Sequence, residues 1–187
     1  MRISAGEHRG RRLQSPKGSK TRPTSDLLRQ AVFNVLGDRV QGARVLDLFA
    51  GTGALGLEAL SRGAATATFV ERDPAALESL RANLAALNLT ARAWVRVGEV
   101  VPVLARLQRA GEMFDCVFLD PPYQGDLAAR CIETLAPGAL LSDNALLVAQ
   151  IFHRTALPEC AGVLRQTGRR RYGESILVFF ITEKACG

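Results

Sequence analysis

The stretch Asp47-Leu48-Phe49-Ala50-Gly51-Thr52-Gly53-Ala54-Leu55-Gly56 decides the fold of this chain. Its beginning belongs to a short apolar run, Val45–Phe49, that reads as a strand. Gly51, Gly53 and Gly56 then match G-x-G-x-x-G and open a helix predicted to run to about Arg62. A chain that turns so sharply from strand to helix needs glycine, and a backbone that touches a ligand has no room for a Cβ. Glu71 stands about 20 residues beyond Gly51, at the end of the next apolar run, Thr66–Glu71. A carboxylate at that place accepts hydrogen bonds from ribose hydroxyls, so the pattern predicts a nucleotide-type site.

Asp47 narrows the ligand. A dinucleotide would lay its pyrophosphate on the helix N-terminus, and a carboxylate just before the loop would repel it. S-adenosyl-L-methionine has a ribose, an ammonium, a sulfonium and no phosphate. Asp47 and Glu71 together fit that molecule better than NAD. A chain of 187 residues also leaves little room for a separate dehydrogenase substrate domain. The expected cofactor site is therefore Asp47, Phe49, Gly51, Thr52, Gly53 and Glu71.

Outward from this stretch, strands and helices alternate. Upstream, Leu27, Leu28, Ala31, Val32, Val35 and Leu36 recur at helical spacing after Thr24, an expected N-cap, which predicts a helix over 24–36. Downstream, Asp73-Pro74 is an N-cap with proline at the first helical position, and Leu77, Leu80, Leu84 and Leu87 share one face up to Asn88. Strand Ala93–Val97, helix Val100–Gln108, strand Cys116–Asp120, helix Asp126–Leu135 and strand Ala145–Ile151 follow. Leu164–Tyr172 and Ser175–Thr182 read as a hairpin turning at Gly173, with Ile176–Ile181 buried. Such alternation predicts a doubly wound, mostly parallel α/β sheet of seven strands with an antiparallel C-terminal edge hairpin. Trp94 is expected to be half-buried on its strand.

The second chemical motif is Asp120-Pro121-Pro122-Tyr123, where the fourth strand ends. Parallel sheets bind ligands at that edge. The two prolines stiffen the backbone and remove two N–H donors, which leaves carbonyl acceptors with little competition. Asp120 adds a carboxylate and Tyr123 a flat face for stacking. Those parts suit a planar ring with an exocyclic NH₂. Accepting its N–H bonds raises electron density on a nitrogen that attacks the sulfonium methyl in line. Asp rather than Asn favours guanine, whose N1–H and N2–H₂ are donors only, over adenine with its N1 acceptor.

Charge separates one end of the chain from the rest. Residues 1–24 carry Arg2, Arg9, Arg11, Arg12, Lys17, Lys20 and Arg22 against Glu7, which accounts for the whole net charge of +6. A neutral body with a basic arm points to an anionic partner, most often nucleic acid; a solvated tail is the alternative. Ile3 and Leu13 could pair two short strands and lay this arm on the body as a hairpin. Arg169-Arg170-Arg171 either extends the basic surface or is a solvated hairpin tip. The composition, 48% hydrophobic and 22% charged, excludes a disordered chain. No apolar run approaches the ~20 residues of a membrane helix, and residues 1–8 do not read as a signal peptide. Cys116, Cys131, Cys160 and Cys186 form no CxxC pair, and His8 and His153 stand alone, so free thiols and no metal site are expected.

These residues resemble the class I S-adenosylmethionine-dependent methyltransferases and, within them, the RsmD family of bacterial small-subunit rRNA guanine-N2 methyltransferases. The resemblance runs through Gly10–Leu13, Arg22-Pro23-Thr24, Phe33-Asn34, Asp47–Gly56, Leu57–Ala64, Glu71-Arg72-Asp73, Asp120–Tyr123 and Tyr172-Gly173. It implies a Rossmann-like fold in one domain, 1–187, with a basic RNA-binding extension over 1–22 and a catalytic body over 23–187. Asp47, Gly51 and Gly53 would border the methionine portion of the cofactor, and Glu71 would bind its ribose. Asp120 and Pro121 would hold the target amine, with Pro122 beside them and Tyr123 stacked on the base. Arg9, Arg11, Arg12, Lys17, Lys20 and Arg22 would grip 16S rRNA, in the free molecule or in an assembling small ribosomal subunit. Family members often place a polar residue after the third strand to meet the adenine; here Val97-Gly98-Glu99 offers Glu99. The free thiols point to a reducing cytoplasm, and a monomeric enzyme is expected. The alternatives are an adenine-N6 or other amino methyltransferase, an RNA-binding assembly module without catalysis, and a nicotinamide-binding regulator.

Overall fold

A strand that is apolar along its whole length must be covered on both faces, and this chain supplies helices in alternation to do so. The computed structural model describes residues 1–16, 23–122 and 125–183. In it α1 (Pro23–Leu36) leads through a 3-10 turn into β1 (Arg44–Leu48), α2 (Ala54–Ser61), β2 (Thr66–Glu71) and α3 (Pro74–Ala86). Then come β3 (Ala93–Val97), α4 (Val100–Arg109), β4 (Phe114–Leu119), α5 (Leu127–Leu135) and β5 (Leu141–Phe152). The chain ends in β6 (Cys160–Ala161), β7 (Leu164–Tyr172) and β8 (Ser175–Thr182). One sheet holds all eight strands in the order β3-β2-β1-β4-β5-β8-β7-β6. β3 through β5 are mutually parallel, and β8, β7 and β6 run antiparallel beyond them. The winding reverses between β1 and β4, so the C-terminal ends of those strands flank the switch point where such sheets bind ligands.

Strand alternation divides the core in two. Val45, Phe69 and Phe118 face α1, α2 and α3, whereas Leu46, Val70 and Val117 face α4 and α5. Asp73 starts α3 as expected: its Oδ1 accepts the Ala76 N–H at 2.8 Å, and Pro74 follows. Asn88, with φ 56°, lets the chain leave that helix.

The basic arm is a hairpin docked on the first of these faces. Arg2 and Arg12 form an antiparallel bridge, and Ile3 and Leu13 are buried in the core. The dock is a carboxylate on α2. Glu58 accepts the Ser4 N–H at 2.8 Å, the Ser4 hydroxyl at 2.6 Å and the Ala5 N–H at 3.1 Å. Arg62 donates to the same carboxylate at 2.7 Å, and Arg29, itself buried, lies 3.4 Å from it.

The structure departs from the sequence-based expectations at several points. The sheet has an eighth strand, β6, too short at two residues to leave a pattern in sequence. β5 begins at Leu141 rather than Ala145, because Asn144 at φ 58° interrupts the apolar alternation where the β4–β5 register shifts. Trp94 keeps 44% of its surface exposed on β3, the outer strand of the sheet. Cys116 and Cys131 are free, and burial pushes both thiols up to about 12. Cys160, by contrast, is disulfide-bonded, which corrects the expectation of free thiols throughout. The expected roles of Lys17, Lys20, Arg22, Tyr123 and Cys186 lie outside the described residues, as does the Thr24 side chain.

Candidate active site

The site starts where β1 ends. Phe49 has φ 61°, a left-handed conformation that costs a bulky residue roughly 1–3 kcal/mol and is retained where the surroundings enforce it. A Cβ on Gly53 would stand 2.4 Å from Leu80 Cδ1, and one on Gly56 would stand 2.3 Å from Phe69 Cε1. The second and third glycines therefore let the turn and α2 close on α3 and β2. Gly51 differs: at φ 56° its Cβ would meet nothing within 4 Å. That open side is what backbone contact with a ligand requires.

Three carboxylates converge on this turn. Asp47 is 2% exposed, and its Oδ2 accepts the Gly56 N–H at 2.8 Å, satisfying a donor in the first turn of α2 that no N-cap side chain reaches. Burial, reinforced by the charges of Asp120 and Glu71, pushes Asp47 up to about 7 against the pull of that bond. Glu71 accepts the Gly51 N–H at 2.7 Å on Oε2, and the Arg72 and Asp73 N–H groups at 2.7 and 2.8 Å on Oε1. Asp120 is half-buried just past β4, and burial pushes it up to about 7. No hydrogen bond reaches its carboxylate among the described residues.

A cleft of about 570 Å³ opens at this edge. Of the expected site residues it gathers Phe49, Glu71, Glu99, Asp120, Pro121 and Pro122, joined by Arg72, Asp73, Gly98 and Gln150. Glu99 opens α4 and pairs with Arg72 across the cleft mouth. Asp47, Gly51, Thr52 and Gly53 are not among its lining residues; Asp47 and Gly53 are buried in support of the turn. Gln150 was not anticipated, although it is the one polar side chain in the apolar run Ala145–Ile151. Asn83 was also missed. Buried on α3, it accepts the Gln14 N–H at 2.7 Å and donates at 3.1 Å to both the Gln14 and the Thr52 carbonyls. It ties the arm to the glycine turn.

The arm's arginines lie elsewhere. The hairpin tip rests on the C-terminal end of α2, where Glu7 N–H donates to the Ser61 carbonyl at 2.8 Å. Since α2 runs away from the cleft for eight residues, or about 12 Å, exposed Arg9 sits on the far side of the turn. Arg11 donates to the Ala86 carbonyl at 2.9 Å, near the end of α3, and Arg12 is exposed.

Residues 1–181 match the family described as Conserved hypothetical protein 95. The chain is 40% identical over 158 residues to Ribosomal RNA small subunit methyltransferase D of Escherichia coli K12, covering 84% of this chain and 78% of that one. The enzyme of the same name from Haemophilus influenzae is 35% identical over 150 residues, with 80% and 78% covered. Among solved structures, the Escherichia coli protein YhhF superposes with a TM-score of 0.87 at 36% identity, over 98% of each chain. A hypothetical protein from Thermus thermophilus does so with a TM-score of 0.80 at 36% identity, over 96% of this chain and 98% of its own. The chain belongs to the RsmD family of S-adenosylmethionine-dependent methyltransferases.

Proposed function

We propose that this protein methylates the exocyclic N2 amine of a guanine in 16S rRNA, with S-adenosyl-L-methionine as donor. The observation that carries the reading is Asp120. Its carboxylate has no hydrogen-bond donor among the described residues, yet it lines the same cleft as Glu71 and Phe49. The small-subunit rRNA methyltransferases named above support RNA as the substrate.

The residues present fit the donor. The cleft lies within the ~300–1,000 Å³ range of small-molecule sites. Glu71 has three N–H partners but acceptor capacity for about four, so a lone-pair site remains for a ribose hydroxyl. Glu71, on the cleft wall, also offers negative charge toward a cationic ligand. When bound, S-adenosyl-L-methionine supplies a methyl group activated by positively charged sulfur.

This chain's own residues do the rest. Asp120 accepts the amine N–H and, with the carbonyls beside Pro121 and Pro122, orients the nitrogen lone pair at the methyl carbon. Tyr123 stacks on the base. In the methyl transfer that the bound donor would supply, the amine nitrogen would become cationic, and the Asp120 carboxylate beside it would stabilise that charge. One proton then leaves the nitrogen, and Asp120, pushed up to about 7, can hold it transiently. A carboxylate matches the donor-only edge of guanine better than that of adenine. Arg9, Arg11, Arg12, Lys17, Lys20 and Arg22 add phosphate contacts that carry no sequence information.

Mass spectrometry of 16S rRNA nucleosides from cells with and without the gene tests the reading. Loss of one N2-methylguanosine is expected. An unchanged nucleoside profile, or loss of N6-methyladenosine instead, would contradict it.

A further inference from the structure

The strand register carries the cleft sideways to a second basic surface. β4 and β5 pair Leu119 with Ala149, so the next residues, Asp120 and Gln150, enter the cleft together. Gln150 pairs with Leu177 on β8, and Leu177 pairs with Arg170 on β7. Arg170 thus stands two strand spacings, about 10 Å, from a residue of the cleft wall. Phe152 pairs with Ser175, and Ser175 with Tyr172, which puts the whole β7–β8 turn at the edge where the cleft opens.

That turn is strongly basic on both faces. Arg169, Arg170 and Arg171 are all exposed, as is Arg154 just beyond β5. Arg170 lies over the Phe179 ring at 5.9 Å, on the α1 side of the sheet, and Tyr172 packs on that same side. Arg169 and Arg171 alternate to the opposite side, paired in register with Val178 and Ile176. Arg171 donates to the Gly173 carbonyl at 2.9 Å, which fixes its guanidinium at the tip. No salt bridge engages these four arginines among the described residues. The carboxylate on the tip belongs to Glu174, which is exposed. β6 pairs with Leu164 and Arg165, and the Gln166 N–H donates to the Glu159 carbonyl at 2.8 Å, so among the described residues β7 is an open sheet edge from Thr167 onward. Arginines there would also blunt edge-to-edge aggregation. Their place beside the cleft, at the same edge as Asp120, argues for a ligand as well. The arm's tip rests on the far end of α2 and leaves this position to others.

We propose that Arg154, Arg169, Arg170 and Arg171 form a phosphate-binding edge for the RNA backbone flanking the base presented to Asp120. This rests on the reading of the site as an RNA methyltransferase and adds the surface that aligns the strand. The chemistry is charge-assisted hydrogen bonding to phosphate oxygens.

The test is a triple variant, Arg169→Gln with Arg170→Gln and Arg171→Gln, titrated with full-length 16S rRNA across a range of salt. Each lost phosphate contact flattens the slope of log K against log salt by about 0.7 for single-stranded RNA, so a decrease of about 2 is expected. The matching triple Arg→Lys variant should keep the slope, and calorimetry should show cofactor affinity unchanged in both. An unchanged slope in a folded Gln variant would overturn the proposal, whether or not that variant aggregates. If the unaltered protein neither binds nor methylates the rRNA, the functional reading fails with it. If the unaltered protein does both and the Gln variant matches it, only this inference fails.

Discussion

The Glu71 carboxylate accepts the backbone N–H of Gly51 at 2.7 Å. The tip of β2 thereby holds the turn that follows β1. Two further bonds, from the Arg72 and Asp73 N–H groups, fix the other oxygen. A ribose would meet a carboxylate already oriented, so little side-chain entropy remains to be lost on binding.

Replacing Glu71 with alanine removes both the ribose acceptor and the brace on the turn. A hydrogen bond to a charged group contributes about 1.5–3 kcal/mol. Affinity for S-adenosyl-L-methionine is therefore expected to fall roughly 10- to 100-fold. Isothermal calorimetry measures this; an affinity within twofold of the unaltered protein would refute the assigned role.

Stability should fall as pH rises through the range in which Asp47 and Asp120 titrate. Both are pushed up to about 7 by burial, whereas an unfolded aspartate titrates near ~3.9. Between those values the folded protein holds protons that the unfolded chain has released. Each unit of pH then favours unfolding, and the effect levels off above about 7. Asp115 acts in the opposite sense: Arg44 holds it down at about 2, so its stabilisation is present above ~4 and lost as pH falls through about 2. Thermal unfolding of the ligand-free protein is expected at a higher temperature at pH 5 than at pH 8, with the difference reduced in Asp47→Asn. A midpoint that rises from pH 5 to pH 8 would contradict these shifts.

Glu58→Ala should loosen the arm and destabilise the body together. Glu58 is fully buried, and its loss leaves the Ser4 and Ala5 donors without their acceptor and takes one of two carboxylates from the buried Arg29 guanidinium, which keeps Asp26 and the Arg2 carbonyl. Breaking a buried pair in this way costs about 3–5 kcal/mol. Urea unfolding should show that loss, and limited proteolysis should cut between Arg2 and Arg12 faster. Unchanged stability would mean that the dock contributes little.

Much of this site was legible because its residues sit where short strands end. Glu71 and Asp120 each close an apolar run beside a glycine- or proline-marked turn, and both line the cleft. Local pattern could not show partners brought from far along the chain. Glu58 reads as an ordinary charged helix residue until Ser4, 54 residues away, docks on it. Asn83 reads as a polar residue on an amphipathic helix, yet it joins Gln14 to Thr52. The arm's charge was plain in the sequence, but the position of Arg9 depends on the Glu7–Ser61 contact. The place of Arg170 beside the cleft follows from two strand registers, which no single run of residues encodes.

The most direct test of the account pairs two measurements on Asp120→Ala: single-turnover methyl transfer to 16S rRNA, and calorimetric affinity for S-adenosyl-L-methionine. Removal of a group that stabilises developing charge lowers the rate by about 10²–10³ or more. The account predicts that loss with cofactor affinity nearly intact. Transfer at close to the normal rate, or an equal loss of transfer and cofactor binding, would contradict the claim that Asp120 holds the amine that receives the methyl group.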